Sequence, residues 1–415
     1  MKRKICLILM IMVIFSACLS ACYSPLVMSE EPLASDPDNS DGFIILQPDL
    51  LEPDQYYTTM RQKGILRGSY METPYGIYYN QSDNFLYYSQ YGTTKYLKLC
   101  TKTDCSHEYD NCDAFIGENK PIAYYKDHIY YVSSDIYSMK FYLYKMDMDG
   151  KNREKVKQIY EEDAYTGVTP YGILYDGYYY FIRMEGSGIG ESQIKDHNLY
   201  RLKIDDDSKC EVVFTNDLIS DICAFTVAKD NIFFYIKNSG SSGYDANTYK
   251  ETTYDLYAFS IETNEWTHLS DQWPGLSCGY FDEVHAYCYK FNDGFYELDL
   301  DSKLAAKVKN TAIEGGWKSN AFYSEDLIYI INFYTEGTSL TSPYRNQTLF
   351  IFDRQYNLID QIFIDYITDD SPTGNMVADI GDYIIFASDY NSTPDFYLIK
   401  SDIGTGNLAF HEIVD

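Results

Sequence analysis

The chain has 415 residues, of which 45% are hydrophobic and 23% charged, and its formal net charge is −29. Such acidity argues against a nucleic-acid partner, whose phosphates require a basic stripe, and against docking on anionic lipid; its general effect is solubility and mutual repulsion. The 45 tyrosines far outnumber the 22 phenylalanines and 3 tryptophans, which suits strands apolar on one side and wet on the other.

At the N-terminus, Lys2-Arg3-Lys4 precede an apolar run from Ile5 to Phe15. The run is well short of the ~18 apolar residues of a spanning helix. Leu19-Ser20-Ala21 then lead into Cys22. The arrangement resembles a bacterial lipoprotein signal peptide, with residues 1–21 removed and the basic residues left on the cytoplasmic side. The resemblance implies that Cys22 is lipidated and becomes the new N-terminus, on the extracytoplasmic face of the cell membrane. Two acyl chains give a stable anchor where one is marginal, so the membrane is a partner through the lipid. A plain secretory signal is the alternative, and Cys18 after Phe15-Ser16-Ala17 is a poorer copy of the motif. Residues 22–42 are polar and acidic without apolar periodicity, as in Ala34-Ser35-Asp36-Pro37-Asp38, and read as a flexible tether. A lead-in segment follows at 43–70, and a folded domain is expected over 71–415.

Beyond about residue 70 the sequence repeats. Ile129-Tyr130-Tyr131-Val132 precedes Phe141-Tyr142-Leu143-Tyr144-Lys145 and Asp147-Met148-Asp149-Gly150. Six further copies begin at Phe85, Tyr179, Ile232, His285, Leu327 and Tyr383, roughly 45 to 55 residues apart, a period of solenoids, propellers and arrays. A strand precedes each pair, as in Ile122-Ala123-Tyr124-Tyr125 or Gly172-Ile173-Leu174-Tyr175, across polar turns at Lys126-Asp127 and Asp176-Gly177. Another follows, as in Lys155–Ile159 or Glu211–Phe214. Four strands per repeat describe a propeller blade, and one blade alone cannot bury both faces. The fold class is therefore all-β, a single β-propeller of seven four-stranded blades by this count, with six or eight as alternatives. Leu408–Ile413 can supply the last blade's outer strand, and Phe43–Leu46 or Gly64–Leu66 can add a strand elsewhere. The unit Ile129-Tyr130-Tyr131 with Leu143-Tyr144-Lys145 and Asp149-Gly150 resembles a blade of the YWTD type, the propeller of low-density-lipoprotein-receptor-like proteins, with Tyr131 where tryptophan is usual. Exported bacterial proteins of unknown function carry such blades, and the resemblance implies a fold without catalytic residues.

Cys100, Cys105, His107 and Cys112 form one compact constellation, C-x4-C-x-H-x4-C. Three thiolates and an imidazole can hold a structural zinc ion tetrahedrally. Exported cysteines also pair as disulfides, which here leaves one thiol odd, so both readings stand. The segment is placed just after a third strand, in the blade's outer connection. It is similar to cysteine-histidine segments of tyrosine-rich lipoproteins of gut Firmicutes. A catalytic zinc would need an open position and a base, for which Glu108 and Asp110 are near in sequence. Cys278 and Cys288 flank a predicted turn around Phe281-Asp282-Glu283, so they can face each other across a hairpin, and Cys210 and Cys223 lie at a blade boundary; buried, unpaired cysteine is the preferred reading for all four.

Asp147-Met148-Asp149-Gly150 and Asp205-Asp206-Asp207 lack the full calcium loop of an EF-hand and read as hairpin turns. Gly186-Ser187-Gly188-Ile189-Gly190 lacks the lysine and helix of a phosphate loop and reads as an insertion. Long insertions at 183–198, 237–253 and 334–347 carry tyrosine, serine, glycine and asparagine, a mixture suited to adaptable recognition. The expected function is a binding or scaffolding module for a glycan, peptide or envelope protein. The alternative is a polysaccharide hydrolase or lyase using a carboxylate pair, which a sequence with 62 acidic residues does not single out.

Overall fold

The computed structural model describes residues 70–413, apart from short internal stretches and longer ones at 162–170, 238–253, 334–346 and 365–374. The signal peptide, Cys22, the tether and nearly all of the lead-in lie outside the described residues, as do the strands expected at 43–46 and 64–66.

Seven four-stranded antiparallel sheets follow one another and build a seven-bladed β-propeller. Blade 1 comprises β1 (Tyr70–Thr73), β2 (Gly76–Asn80), β3 (Leu86–Gln90) and β4 (Leu97–Lys98), and blade 2 comprises β5 (Ile122–Tyr125), β6 (His128–Asp135), β7 (Lys140–Asp147) and β8 (Glu154–Glu161). Blades 3 to 7 span 171–215, 222–273, 278–309, 318–364 and 375–412. Each takes its four strands in order from one stretch of chain, and blade 3 adds a two-stranded hairpin, Met184–Gly186 with Ser192–Ile194. First strands of neighbouring blades touch one another, which makes them the inner strands. Burial falls outward: β2 is buried throughout, whereas the fourth strand of blade 5, Leu304–Lys309, is almost wholly exposed.

One expectation needs correction. Phe85–Tyr88 and Tyr96–Leu99 are not the second and third strands of their blade. They fall in its third and fourth, and the second is Gly76–Asn80. Blade 1 has a fourth strand of only two residues, so the phase of the other blades does not carry over to it.

Seven apolar clusters match the seven blade-to-blade contacts. Met71, Tyr78, Ile129 and Met146 pack between blades 1 and 2, and Phe141, Ile159, Phe181 and Leu202 between blades 2 and 3. The ring closes where Ile77 of blade 1 packs on Ile385 of blade 7, and among the described residues each blade draws its four strands from one stretch of chain. Leu408–Ile413 contributes the short outer strand His411–Glu412 of blade 7, as expected.

Tyrosine joins these blades through both its ring and its hydroxyl. Tyr75 and Tyr124 both donate to the Asp127 carboxylate, at 2.8 and 2.7 Å. The Gly177 amide donates to the Tyr125 hydroxyl at 2.5 Å, and Tyr175 donates to the Asp230 carboxylate at 2.6 Å. Thus the tyrosine at the end of one inner hairpin strand, or in its turn, reaches the inner turn of the next blade. Those turns are tight because Lys126-Asp127, Asp176-Gly177 and Lys229-Asp230 all have positive φ, the signature of the two-residue type I′ hairpin.

Strand order fixes which connections share a face of the ring. First-to-second and third-to-fourth turns lie on one face; second-to-third loops and blade-to-blade links lie on the other. The insertions at 183–198, 237–253 and 334–347 all join a second strand to a third, in blades 3, 4 and 6. The strand ends that carry them are therefore on the same face.

Candidate metal centre

The Cys/His segment follows the fourth strand of blade 1, not the third, and it takes over that strand's work. After Leu97–Lys98 the chain leaves the sheet and returns at 114–117 to pair again with the same neighbour. Leu86 holds both ends: its carbonyl accepts the Leu99 N–H at 2.9 Å, and its own N–H donates to the Ala114 carbonyl at 2.7 Å. Ile116 donates to the Asn84 carbonyl at 3.0 Å, and Phe85 bridges to Phe115. The loop from 99 to 114 is thereby pinched at its base, which places Cys100 and Cys112 side by side. The arms are also tied by Lys102, whose ammonium meets the Asp113 carboxylate at 2.8 Å and the Asn111 carbonyl at 2.6 Å.

A turn at 103–104, closed by the Cys105 N–H to the Lys102 carbonyl at 3.4 Å, leads into His107. His107 takes a left-handed backbone conformation, φ 53°, and its Nδ1 lies 3.4 Å from Cys112 Sγ. The ligand atoms of Cys100, Cys105, His107 and Cys112 all lie within 4.8 Å of one another. Zinc–sulfur bonds of ~2.3 Å and zinc–nitrogen bonds of ~2.0–2.1 Å imply tetrahedral edges of roughly 3.5–3.8 Å, so the four donors stand close to the geometry of one ion. The cluster can hold a metal.

Electrostatics at the site push two of the thiols in opposite directions. Burial pushes the Cys100 thiol up, but the N–H groups of Lys102 and Asp113 and the neighbouring thiols of Cys105 and Cys112 bring it below its ordinary value. Burial pushes the Cys112 thiol up to about 12, against the pull of the Ala114 N–H and with a further push from Cys100. Burial and then the charge of Lys98 push the His107 imidazole down, towards the neutral form that ligates. Amides aimed at ligand sulfurs are the outer contacts that orient and tune thiolate ligands. Cys100, Cys105 and Cys112 are free thiols in this arrangement.

Blade 2 buttresses the loop. Leu99, Cys112, Ala114 and Ile116 are buried in the cluster shared with Met146 and Met148, and Cys100 and Cys105 pack against it. Gly150, in the β7–β8 turn, lies against Leu99 so closely that a Cβ there would come 2.7 Å from the Leu99 carbonyl oxygen. Arg153 donates to the Asp113 carbonyl. Four protein donors leave no open position for a catalytic ion, and Glu108 is exposed; Asp110 lies outside the described residues.

The other candidates are structural. Asp147 accepts from the Asn152 side chain at 2.5 Å, and its carbonyl accepts the Gly150 N–H at 2.9 Å, so this acidic stretch is a hairpin turn, as expected. Cys210 is a half-buried thiol that burial pushes up to about 11. Among the described residues the carboxylates with resolved pKa changes, Asp293, Asp299 and Asp353, all move down, opposite to what a glycosidic general acid requires. Sequence reading missed Leu86, Gly150 and Lys102 as supports of the metal cluster. Only the positive φ of Gly150, in an Asp-Met-Asp-Gly turn, left a local signal.

No family model matches the chain. No curated protein matches its sequence. Among solved structures, tricorn protease is similar over 88% of this chain and 36% of its own, at 8% identity and a TM-score of 0.43; this chain thus spans about a third of that protein. The β-propeller domain of the Trilobed protease from Pyrococcus furiosus is similar over 87% of this chain and 96% of its own, at 9% identity and a TM-score of 0.40. Oligogalacturonate lyase in complex with manganese is similar over 69% of this chain and 74% of its own, at 12% identity and a TM-score of 0.41.

Proposed function

We propose that this propeller is a lipid-anchored binding or scaffolding module on the extracytoplasmic face of the cell membrane, and that Cys100, Cys105, His107 and Cys112 hold a structural zinc ion at its rim. The observation that carries the binding reading is the shared placement of the three long insertions, in the second-to-third connections of blades 3, 4 and 6. Rigid strands presenting variable polar loops on one side are a general recognition architecture. The ligand class is a glycan, peptide or envelope protein. Cys22 supplies the anchor, and the resemblance of the repeat to YWTD-type blades of exported bacterial proteins supports this reading.

Zinc is preferred over a disulfide because one bridge would use two of the four donors and leave a thiol and His107 without a partner. Three thiolates and a divalent ion carry one net negative charge, and Lys98 and Lys102 lie beside the cluster to balance it.

Full-length protein in detergent, displayed against cell-wall glycans, host glycans and envelope proteins, tests the binding reading. Replacing residues 238–253 by a two-residue turn should abolish capture while leaving thermal unfolding unchanged. If the intact chain captures nothing beyond that variant, the binding reading fails. Cell fractionation of wild type and Cys22→Ala tests the anchor: only the wild type should sediment with membranes.

A further inference from the structure

The outer strand of blade 6, Leu358–Ile364, is a sheet edge: it pairs with Gln347–Asp353 on its inner side and with no strand on its outer side among the described residues. Such an edge presents a row of unpaired N–H and C=O groups and is ordinarily guarded by brevity, charge or proline. The outer strands of blades 1 and 7 are two residues long. That of blade 2 carries Glu154, Lys155, Lys157 and Glu161, and that of blade 5 carries Lys307 and Lys309. Leu358–Ile364 has 7 residues, no proline and a single charged residue, Asp360. That charge is engaged: the Asp360 carboxylate accepts the Gly404 N–H of blade 7 and the Gln361 N–H, both at 2.8 Å.

The same strand carries exposed apolar side chains: Phe363 is 56% exposed and Leu358 52%. The register sets Phe363 opposite Thr348 and, past a bulge at Ile359, Leu358 opposite Phe352, so both stand on the face turned to blade 5, where Phe352 is buried. Ile362 pairs with Leu349 on the face turned to blade 7. From Asp360 to Ile364 the strand is regular, and it is complementary to itself. Antiparallel pairing with a second copy about Ile362 sets Ile362 against Ile362, Gln361 against Phe363 and Asp360 against Ile364. No charge meets its like, and the two Phe363 positions become diagonal neighbours at ~7–8 Å, within reach of aromatic side chains. Two chains of net charge −29 repel one another over most of their surfaces, which confines association to an edge where charge is scarce.

We propose that the outer edge of blade 6 is a self-association surface, on which a second copy of this chain docks by antiparallel pairing of Leu358–Ile364 with itself. The two copies of blade 6 then form one continuous sheet across a two-fold axis, and the same patch serves both chains. Strand addition of this kind takes its affinity from main-chain hydrogen bonds and its selectivity from alternate side chains, here Phe363 and Leu358 on one face and Ile362 on the other. The pairing needs neither the lipid nor the metal ion.

The mass of full-length protein in detergent, measured by light scattering after size exclusion with the detergent mass subtracted, tests this across a range of concentrations. The chain should pass from monomer to dimer as concentration rises, and hydrogen exchange of the 358–364 amides should slow as the dimer forms. Phe363→Lys should weaken dimerisation by about tenfold for each lost side chain, about a hundredfold for the pair. Val212→Lys, at an exposed site on the outer strand of blade 3, should leave it unchanged, and circular dichroism checks that both variants fold. A monomer at every concentration overturns the proposal; slow exchange at 358–364 would then assign the edge to another segment of the same chain, and fast exchange would leave it bare. A dimer that survives Phe363→Lys, or one broken by Val212→Lys alone, overturns the choice of surface.

Discussion

Replacing Gly150 by alanine tests whether blade 2 supports the metal loop. Gly150 has φ +83°, and an added Cβ would lie 2.7 Å from the Leu99 carbonyl oxygen and 3.2 Å from Leu99 Cγ. Gly406 provides a control: its φ is +81°, and a Cβ there meets nothing within 4 Å. Alanine in the left-handed region costs about 1–2 kcal/mol, and this is the whole expected effect at Gly406. At Gly150 the backbone oxygen cannot rotate away, so Leu99, fully buried and next to Cys100, must move with its segment. Overpacking a tight contact adds about 1–2 kcal/mol, for a total of about 2–4 kcal/mol. With an unfolding entropy near 2.1 cal/mol/K per residue, a ring of roughly 340 residues loses about 1.4 °C of midpoint per kcal/mol. Thermal unfolding by circular dichroism should therefore fall by about 3–6 °C for Gly150→Ala and about 1.5–3 °C for Gly406→Ala. Metal retention against a competing chelator should weaken only in the former. Equal shifts with equal metal retention would refute the buttress.

Further outcomes follow from the same contacts. Purified protein should carry one zinc per chain by elemental analysis, lost in Cys112→Ser and kept in Cys210→Ser. Zinc affinity should fall as pH drops, since protons compete for the three thiolates and the imidazole; an affinity flat with pH would speak against thiolate ligation. Tyr125→Phe removes the acceptor of the Gly177 N–H and should lower stability by about 1–2 kcal/mol in urea unfolding, with no change in bound metal. Asp353 and Asp293 titrate below their ordinary values. At Asp353 burial raises the pKa but is outweighed by the N–H groups of Asn357 and Gln355 and the Asn357 amide; at Asp293 burial is outweighed by Lys307, Tyr296 and Lys290. Their folded pKa values lie below the unfolded ~3.9, so their stabilisation is fully present above that value and drains as pH falls through the folded values. The midpoint should drop steeply below pH ~4, and Asp353→Ala, already without its turn acceptor at neutral pH, should show a shallower drop.

The sequence by itself determined the architecture and the candidate donor set. Tyrosine-rich strand pairs recurring at blade spacing, with type I′ turn residues such as Lys126-Asp127 between them, leave little freedom: each pair buries its apolar face only against a copy of itself. The spacing of Cys100, Cys105, His107 and Cys112 likewise brought the donors within reach of one another along the chain. Tertiary structure decided the rest, because the deciding contacts join residues far apart in sequence. The phase of blade 1 depended on Gly76–Asn80, whose uniform burial erases the alternation that marks a half-exposed strand. The place of the cysteine-histidine loop depended on Leu86, which pairs with both Leu99 and Ala114, and on Gly150 from the next blade. The hairpin between Cys278 and Cys288 was legible from its turn residues, but the shift of register at Gly279 was not. Periodicity is local and survives in the sequence, whereas register and blade contact are settled by what packs against what.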